Sequence, residues 1–430
     1  MVEKLFEERP PEATDIVLDS GCGPGDFIES IIRWCKKNGR LLPIIKGVEL
    51  DPRHIPLARE KFSHYPNIEI EQRDFLMPST EQYDFIICNP PYVPITEITE
   101  EEKRLYKPLF ETATGRFDLY LLFFEKALKS LKKNGRLVFI TPEKYTYVKT
   151  AKTLRRILSD IRIKEIEFLK EETFEGLTTY PIITVAENNK PAQETKIILR
   201  DGQIKYVPLP RDGESWIPFF HGKTKVRKRY TLKDICIRIS CGVATGADQV
   251  FVKHTNKLDS GLQPFAYPTI SGKELIPRAD HLISSYSMLV PYSSNGRLKP
   301  LDELEFFAKY LSLPHIRKRL EKRTCVTRKP WYAFHENPPM GDILRPKILC
   351  KDIAAEPYFW VDKEGSIIPR HSVYYIVPKE TTKLVEIAEY LRGDFARDWL
   401  IKHCQRAANG YIRLQSSVLK ELPIPEELYY

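Results

Sequence analysis

The chain is poor in the residues that staple or anchor a fold. Eight cysteines are scattered over 430 residues, at 22, 35, 88, 236, 241, 325, 350 and 404. None forms a CxxC pair, and His403-Cys404 is the one His/Cys neighbour pair. That spacing argues against zinc ribbons and disulfide frameworks, so no metal site is expected and the cysteines read as small buried hydrophobes. No window approaches about 18 uninterrupted apolar residues, and Met1-Val2-Glu3-Lys4-Leu5 is not a signal peptide. A cytoplasmic location without a membrane partner is the expectation. There is no internal repeat and no nuclease-like segment.

What is present describes a soluble globular chain, 42% hydrophobic and 29% charged. Its length exceeds what one core supports, so two domains are expected. Thirty-three prolines exceed the usual share of about 5% and predict many stiff loops. Charge is divided unevenly. Residues 1–190 hold 29 basic and 31 acidic side chains, which leaves 38 and 27 of the totals of 67 and 58 for the remainder. A polyanion is the natural partner for that second part, although solvated lysines account for much charge in any protein.

The stretch from Asp84 to Tyr92 organises the rest. Phe85-Ile86-Ile87 is an apolar strand that runs into Asn89-Pro90-Pro91-Tyr92. The two prolines fix their own φ and extend the residues before them, giving a stiff loop at the carboxyl end of a buried strand. Open α/β sheets place their chemistry there. Asn89 offers an amide oxygen, Pro90 a carbonyl and Tyr92 an aromatic face, a set that suits a planar base with an exocyclic amine. The tetrapeptide reads equally as a proline-rich turn after a core strand.

Upstream, Asp15-Ile16-Val17-Leu18-Asp19 is a strand, Ser20-Gly21-Cys22-Gly23-Pro24-Gly25-Asp26 a glycine-rich turn, and Phe27 to Trp34 a helical pattern. This is the opening of a Rossmann-like unit. Asp19 and Asp26 bracket the glycines. They would repel a pyrophosphate and hold the ammonium of an amino-acid moiety, which favours S-adenosylmethionine over a dinucleotide. A second strand, Ile44 to Asp51, carries Glu49 and ends in acids able to take ribose hydroxyls. A third, Asn67 to Phe75, ends in Asp74, able to accept from an adenine amine, and Phe75, able to pack on that ring. Each acid alone reads as a strand-end cap, but four consecutive strand ends agree.

With these motifs the chain resembles the γ-type DNA adenine-N6 methyltransferases of restriction–modification systems. The match continues through Phe117-Asp118-Leu119-Tyr120-Leu121-Leu122-Phe123, where the resemblance places Phe123 beside the cofactor adenine. It runs on through Asn134 to Pro142, a Gly turn and a further strand. Phe174 to Pro181 is similar to the segment whose aromatic clamps a flipped base, with Phe174 in that role and Tyr180 as the alternate. The fold implied is α/β: a Rossmann-like S-adenosylmethionine-dependent methyltransferase domain, residues 1–190, followed by a mixed α+β target-recognition domain, residues 191–430.

The resemblance implies catalysis by Asn89, Pro90 and Tyr92, base binding by Tyr92 and Phe174, and cofactor binding by Asp19, Gly21, Gly23, Glu49, Asp74, Phe75, Asn89 and Phe123. It also implies double-stranded DNA as substrate and a cognate restriction endonuclease as partner. Family members carry a further cofactor-contacting segment ahead of the first strand, of which only a last helix, Val2 to Glu8, is expected here. That departure bears on cofactor affinity, not on the chemistry.

Residues 94–116 read as a charged loop or lid, and Glu187 to Gln193 as an interdomain linker. In the second part, Lys225 and Arg227 lie in a basic run that suits phosphates or a solvated face. Ser240 to Phe251 and Arg323 to Tyr332 resemble segments of target-recognition domains. There Arg328, Trp331 and Tyr332 suit DNA contacts or, for the aromatics, ordinary core. Two other readings of the tetrapeptide are a protein-glutamine or rRNA guanine-N2 methyltransferase, which lack so long a basic second part. A specificity subunit with weak catalysis is a third. Cytosine-N4 enzymes usually carry Ser at the position of Asn89.

Overall fold

A computed structural model of the chain describes residues 1–169, 180–220, 230–277, 282–407 and 410–430. The chain divides into two compact units, Met1–Lys223 and Thr224–Tyr430.

The first unit is built on one nine-stranded sheet. Its strands are β1 (Ile16–Ser20), β2 (Ile44–Glu49), β3 (Ile68–Gln72), β4 (Tyr83–Cys88), β5 (Leu131–Pro142), β6 (Arg162–Phe168), β7 (Pro181–Glu187), β8 (Thr195–Ile198) and β9 (Ile204–Val207). They lie in the order β3-β2-β1-β4-β5-β7-β6-β8-β9. The first five run parallel, and β7 is antiparallel to both β5 and β6.

Parallel strands covered on both faces must be apolar at every position, with successive side chains pointing to opposite sides. The central strands satisfy this where they meet the two cores, whereas edge strand β3, Ile-Glu-Ile-Glu-Gln, buries only Ile70. Val17, Phe85, Ile87, Val138 and Ile140 pack on one side with α1 (Val2–Phe6), α2 (Asp26–Lys37) and α3 (Ile55–Phe62). Leu18, Ile86, Cys88, Leu137 and Phe139 pack on the other with α5 (Leu119–Lys129) and α6 (Lys152–Ser159). Seven of the eight cysteines are buried and all are free, so they serve as core atoms.

Three expectations change. The segment read as a linker begins with Glu187 at the end of β7, where it is buried and pairs with Arg136 at 2.7 Å. The chain then turns straight into β8, which pairs with β6. The domain break accordingly falls at 223/224, not at 190/191, because residues 195–220 complete the first core. Trp216 and Phe220 are buried in it, and Arg155 grips the preceding turn, donating to the carbonyls of Gly213 and Glu214 at 2.8 and 3.0 Å. Its other arm reaches Tyr145 and Val148 at 2.6 and 2.9 Å. Short strands far from the motifs left no signal for this extension. Second, the 94–116 connection contains a helix, α4 (Glu100–Tyr106), started by a capping box between Thr99 and Glu102. Third, the opening helix stops at Phe6, two residues early.

The second unit is mixed α+β. One antiparallel sheet orders the strands 236–241, 373–378, 347–351 and 359–362, and a second orders 252–254, 286–289, 266–270 and 368–369. Helices Pro314–Glu321, Leu384–Arg392 and Asp394–His403 pack against them. The charge asymmetry survives the shifted boundary: residues 1–223 hold 34 basic and 35 acidic side chains, and residues 224–430 hold 33 and 23. Among the described residues no helix is long and apolar enough to cross a membrane.

Arg155 is 2% exposed, so removing its guanidinium takes a donor from four carbonyls, of which that of Val148 keeps the Ala151 N–H at 3.1 Å. Arg155→Ala should lower the unfolding free energy by about 3 kcal/mol or more, read from urea denaturation. A loss below about 1 kcal/mol would show that the turn is held by other contacts.

Candidate active site

β1 and β4 are neighbours from which the chain departs in opposite directions, with β2 and β3 beyond β1 and β5 beyond β4. The crevice at such a reversal is where open sheets bind ligands. The register Asp19↔Ile87 brings the glycine turn beside the tetrapeptide. A Cβ on Gly21 would stand 4.0 Å from the Asn89 carbonyl and 3.9 Å from the Phe123 ring. The turn needs glycine for its backbone: Gly21 and Gly25 sit at φ 87° and 90°, and a Cβ on Gly25 would lie 2.3 Å from the Phe62 ring.

Beside these strand ends lies a cavity of about 510 Å³ lined by Gly21, Glu49, Asp74, Phe75, Asn89 and Phe123, together with Glu102 and Tyr106. Six of the eight residues chosen as cofactor-binding therefore share one cavity, and the other two, Asp19 and Gly23, flank Gly21 in the turn. Its volume suits a ligand of nucleoside size. Phe75 and Phe123 stand 5.4 Å apart, tilted at 43°.

The acids differ in what they already hold. Glu49 accepts three backbone N–H groups at 2.8 Å, from Gly23, Leu50 and Asp51. Asp74 accepts the Leu76 N–H at 2.8 Å and the Tyr106 hydroxyl at 3.0 Å. Asp19 differs: it is fully buried, and neither oxygen has a hydrogen-bond partner among the described residues. Burial, reinforced by the nearby charges of Glu49 and Asp26, pushes its carboxyl well above the ordinary carboxylate range. An orphaned acid at the glycine turn is what an ammonium group would neutralise. The residues thus fit S-adenosylmethionine, of which Asp19 would face the ammonium, Glu49 the ribose, and Asp74, Phe75 and Phe123 the purine.

In the tetrapeptide, Asn89 is exposed and Pro90 buried. The Tyr92 hydroxyl stands 2.9 Å from Asn89 Oδ1 and 3.0 Å from the Ile140 carbonyl. With one proton it donates to one of them at a time. Burial raises its pKa, so it stays a donor.

Sequence reasoning missed Tyr106 and Glu102, because 94–116 reads as loop. The pair Thr99 and Glu102 is a recognisable helix start and was the available signal. Phe174, Lys225 and Arg227 lie outside the described residues. The ring of Tyr180 has the Arg200 guanidinium 5.1 Å from its centre. In the second unit Arg328 is exposed, and Trp331 is half-buried beneath the Arg317 guanidinium, 5.1 Å from its ring. Tyr332 is a correction. It is 7% exposed and its hydroxyl donates to the Lys299 carbonyl at 3.0 Å, so it is core and not a DNA contact.

The raised pKa of Asp19 has a consequence for stability. The folded chain keeps a proton that the unfolded chain releases, so this group makes the ligand-free protein less stable as pH rises through that interval. Asp19→Asn removes the effect. Its melting temperature relative to the wild type should rise between about pH 5 and about pH 8, and an unchanged difference would mean the buried carboxyl is ionised throughout.

Comparison with known proteins agrees with this geometry. Residues 46–174 match the family described as Eco57I restriction-modification methylase. The type II methyltransferase M.XhoI of Xanthomonas vasicola is 25% identical over 82% of this chain and 70% of its own length. M.PaeR7I of Pseudomonas aeruginosa is 24% identical over 98% and 82%. Among solved structures, the type IIL restriction-modification enzyme MmeI, solved in complex with DNA, shares the fold at a TM-score of 0.65 and 14% identity, over 96% of this chain and 63% of its own. The chain is an S-adenosylmethionine-dependent methyltransferase, similar over most of its length to type II methyltransferases, and its residues 46–174 match the Eco57I-type methylase model.

Proposed function

We propose that the chain methylates N6 of a flipped-out adenine in duplex DNA at a specific sequence, with the second unit as its target-recognition domain. The observation that carries this reading is Asn89, exposed beside the cofactor cavity at the strand reversal, followed by the carbonyl of Pro90 and the ring of Tyr92. S-adenosylmethionine, when bound, supplies an electrophilic methyl group on a positively charged sulfur. Asn89 Oδ1 and the Pro90 carbonyl accept the two amine hydrogens of the base. That pulls the nitrogen towards a tetrahedral shape and frees its lone pair for in-line attack. The Tyr92 hydroxyl turns its proton to the Ile140 carbonyl as the amine arrives, which releases a lone pair on Oδ1. No strong base is required, because the surplus amine proton leaves to solvent afterwards.

Tyr92 stacks on the base, with Phe174 as the opposing aromatic. This offsets an unstacking cost of a few kcal/mol. The basic excess of residues 224–430 supports a polyanion there, with Arg328 and Trp331 on its surface and Lys225 and Arg227 at its start. A cognate endonuclease of the same site specificity would be the partner of such an enzyme.

Asn89→Ala should lower turnover by about a hundredfold or more while S-adenosylmethionine still binds. The assay is methyl transfer from labelled cofactor to unmodified genomic DNA, with the modified nucleoside identified by mass spectrometry. N6-methyladenine is the expected product. Label on a release factor or ribosomal RNA instead would overturn the DNA reading.

Tyr106 should act on the cofactor, through Asp74. Tyr106→Phe removes one hydrogen bond to a carboxylate, and the affinity for S-adenosylhomocysteine should fall about tenfold. An analogue with hypoxanthine in place of adenine lacks the amine and should lose much less. Equal losses would show that Tyr106 only supports the fold.

A further inference from the structure

The second unit carries a built surface that joins parts of the segments Ser240 to Phe251 and Arg323 to Tyr332 to a helix face the motifs did not include. Residues 315–329 contain seven lysines and arginines against one acid, Glu321. In the helix Pro314–Glu321, Ile316 and Leu320 face the core. His315, Lys318, Arg319 and the cap residue Lys322 recur at helical spacing on the opposite side, all exposed. Glu321 is taken by Arg317 at 2.9 Å. No ion pair to any described residue is made by Lys318, Arg319, Lys322 or Arg328. Like charges held together and left unpaired repel one another unless a polyanion lies across them.

Arg319 also lines a cleft of about 510 Å³ with Thr245, Gly246, Gln249, His335 and His371. The cleft has a stiff frame. Arg323 donates to the carbonyls of Thr245, Trp331 and Ala333 at 2.8, 2.6 and 2.9 Å, and the His335 N–H returns to Thr245 at 3.1 Å. Gly246 turns at φ 69°. Gln249, His335 and His371 are exposed on this frame and offer both donors and acceptors.

We propose that the cleft rim reads base edges of duplex DNA through Gln249 and His335, while the Lys318/Arg319/Lys322 face grips the adjoining phosphates. This rests on, and deepens, the DNA reading above. The division of labour follows from chemistry. Point charges on a helix face neutralise a backbone without sequence information. An amide held rigidly can make the paired contacts that distinguish one base from another. From His315 to Lys322 the face runs about 10 Å, the rise of about three base pairs.

The test uses the full chain and two readouts. Binding to a duplex of about 30 base pairs is measured against salt, where each lost phosphate contact lowers the slope of log affinity by about 0.9. The double variant Lys318→Ala/Lys322→Ala should lower it by about 1.8 and leave the set of methylated genomic sites unchanged. Lys36→Ala/Lys37→Ala, the same charge change on exposed α2, should leave the slope as in the wild type. Gln249→Ala and His335→Ala should keep the slope and widen the set of methylated sites.

An unchanged slope in the first variant, or an unchanged site set in both of the last two, would overturn the assignment. So would tighter, equally slope-sensitive binding to RNA. If the wild type methylates no DNA, the methyltransferase reading fails separately, because the salt slope still reports whether this face holds a duplex.

Discussion

The parallel pairing of β1 with β4 is the constraint on which the site depends. It sets the glycine turn and the tetrapeptide side by side, because both follow the last paired residues of adjacent strands. The two strands then send their connections to opposite sides, and the crevice between them is left open. The turn can occupy this place only with a backbone at φ 87° at Gly21 and 90° at Gly25, so glycine is imposed by geometry before any ligand is considered. The tetrapeptide meets the same demand differently: two prolines stiffen a loop that has no sheet partner.

The carboxylates of Glu49 and Asp74 in the cavity lining and of Asp19 beneath the glycine turn are graded by prior occupancy. Glu49 is fixed by three N–H groups and Asp74 by two donors. Each keeps spare lone pairs aimed by that fixing, the state in which a carboxylate best accepts from neutral hydroxyls and amines. Asp19 has no donor among the described residues, and its environment favours the neutral form. One cleft thus separates a site for positive charge from sites for neutral donors by hydrogen bonding alone. The orphaned acid is a cost to the free protein that a cationic ligand removes.

What was legible in the sequence followed from this arrangement. The central strands β1 and β4 announce themselves because strands buried on both faces are largely apolar, edge strand β3 by its alternation of Ile and Glu, and the strand ends carry the chemistry in chain order. The outer strands β8 and β9 carry no such signature. Half-exposed four-residue strands such as Ile204–Val207 look like any polar connection, so the domain break was placed too early. Tyr106 was hidden for a different reason. Its contact with Asp74 spans 32 positions, and a tyrosine in a charged segment gives no sign of what it reaches.

In the second unit, side-chain type misleads and exposure decides. Arg323 and Tyr332 have the composition of nucleic-acid contacts, yet both are turned inward on backbone carbonyls. An arginine whose donors are spent on four backbone carbonyls, those of Leu320, Thr245, Trp331 and Ala333, has little left for a phosphate. It can make the loop that bears Gln249 rigid. Recognition needs such stiffness, because a side chain that must first be ordered loses to entropy much of what its contact contributes. The residues that look most like DNA ligands are therefore the scaffold of the cleft. The charge left without an ion pair to any described residue belongs to a neighbouring helix face.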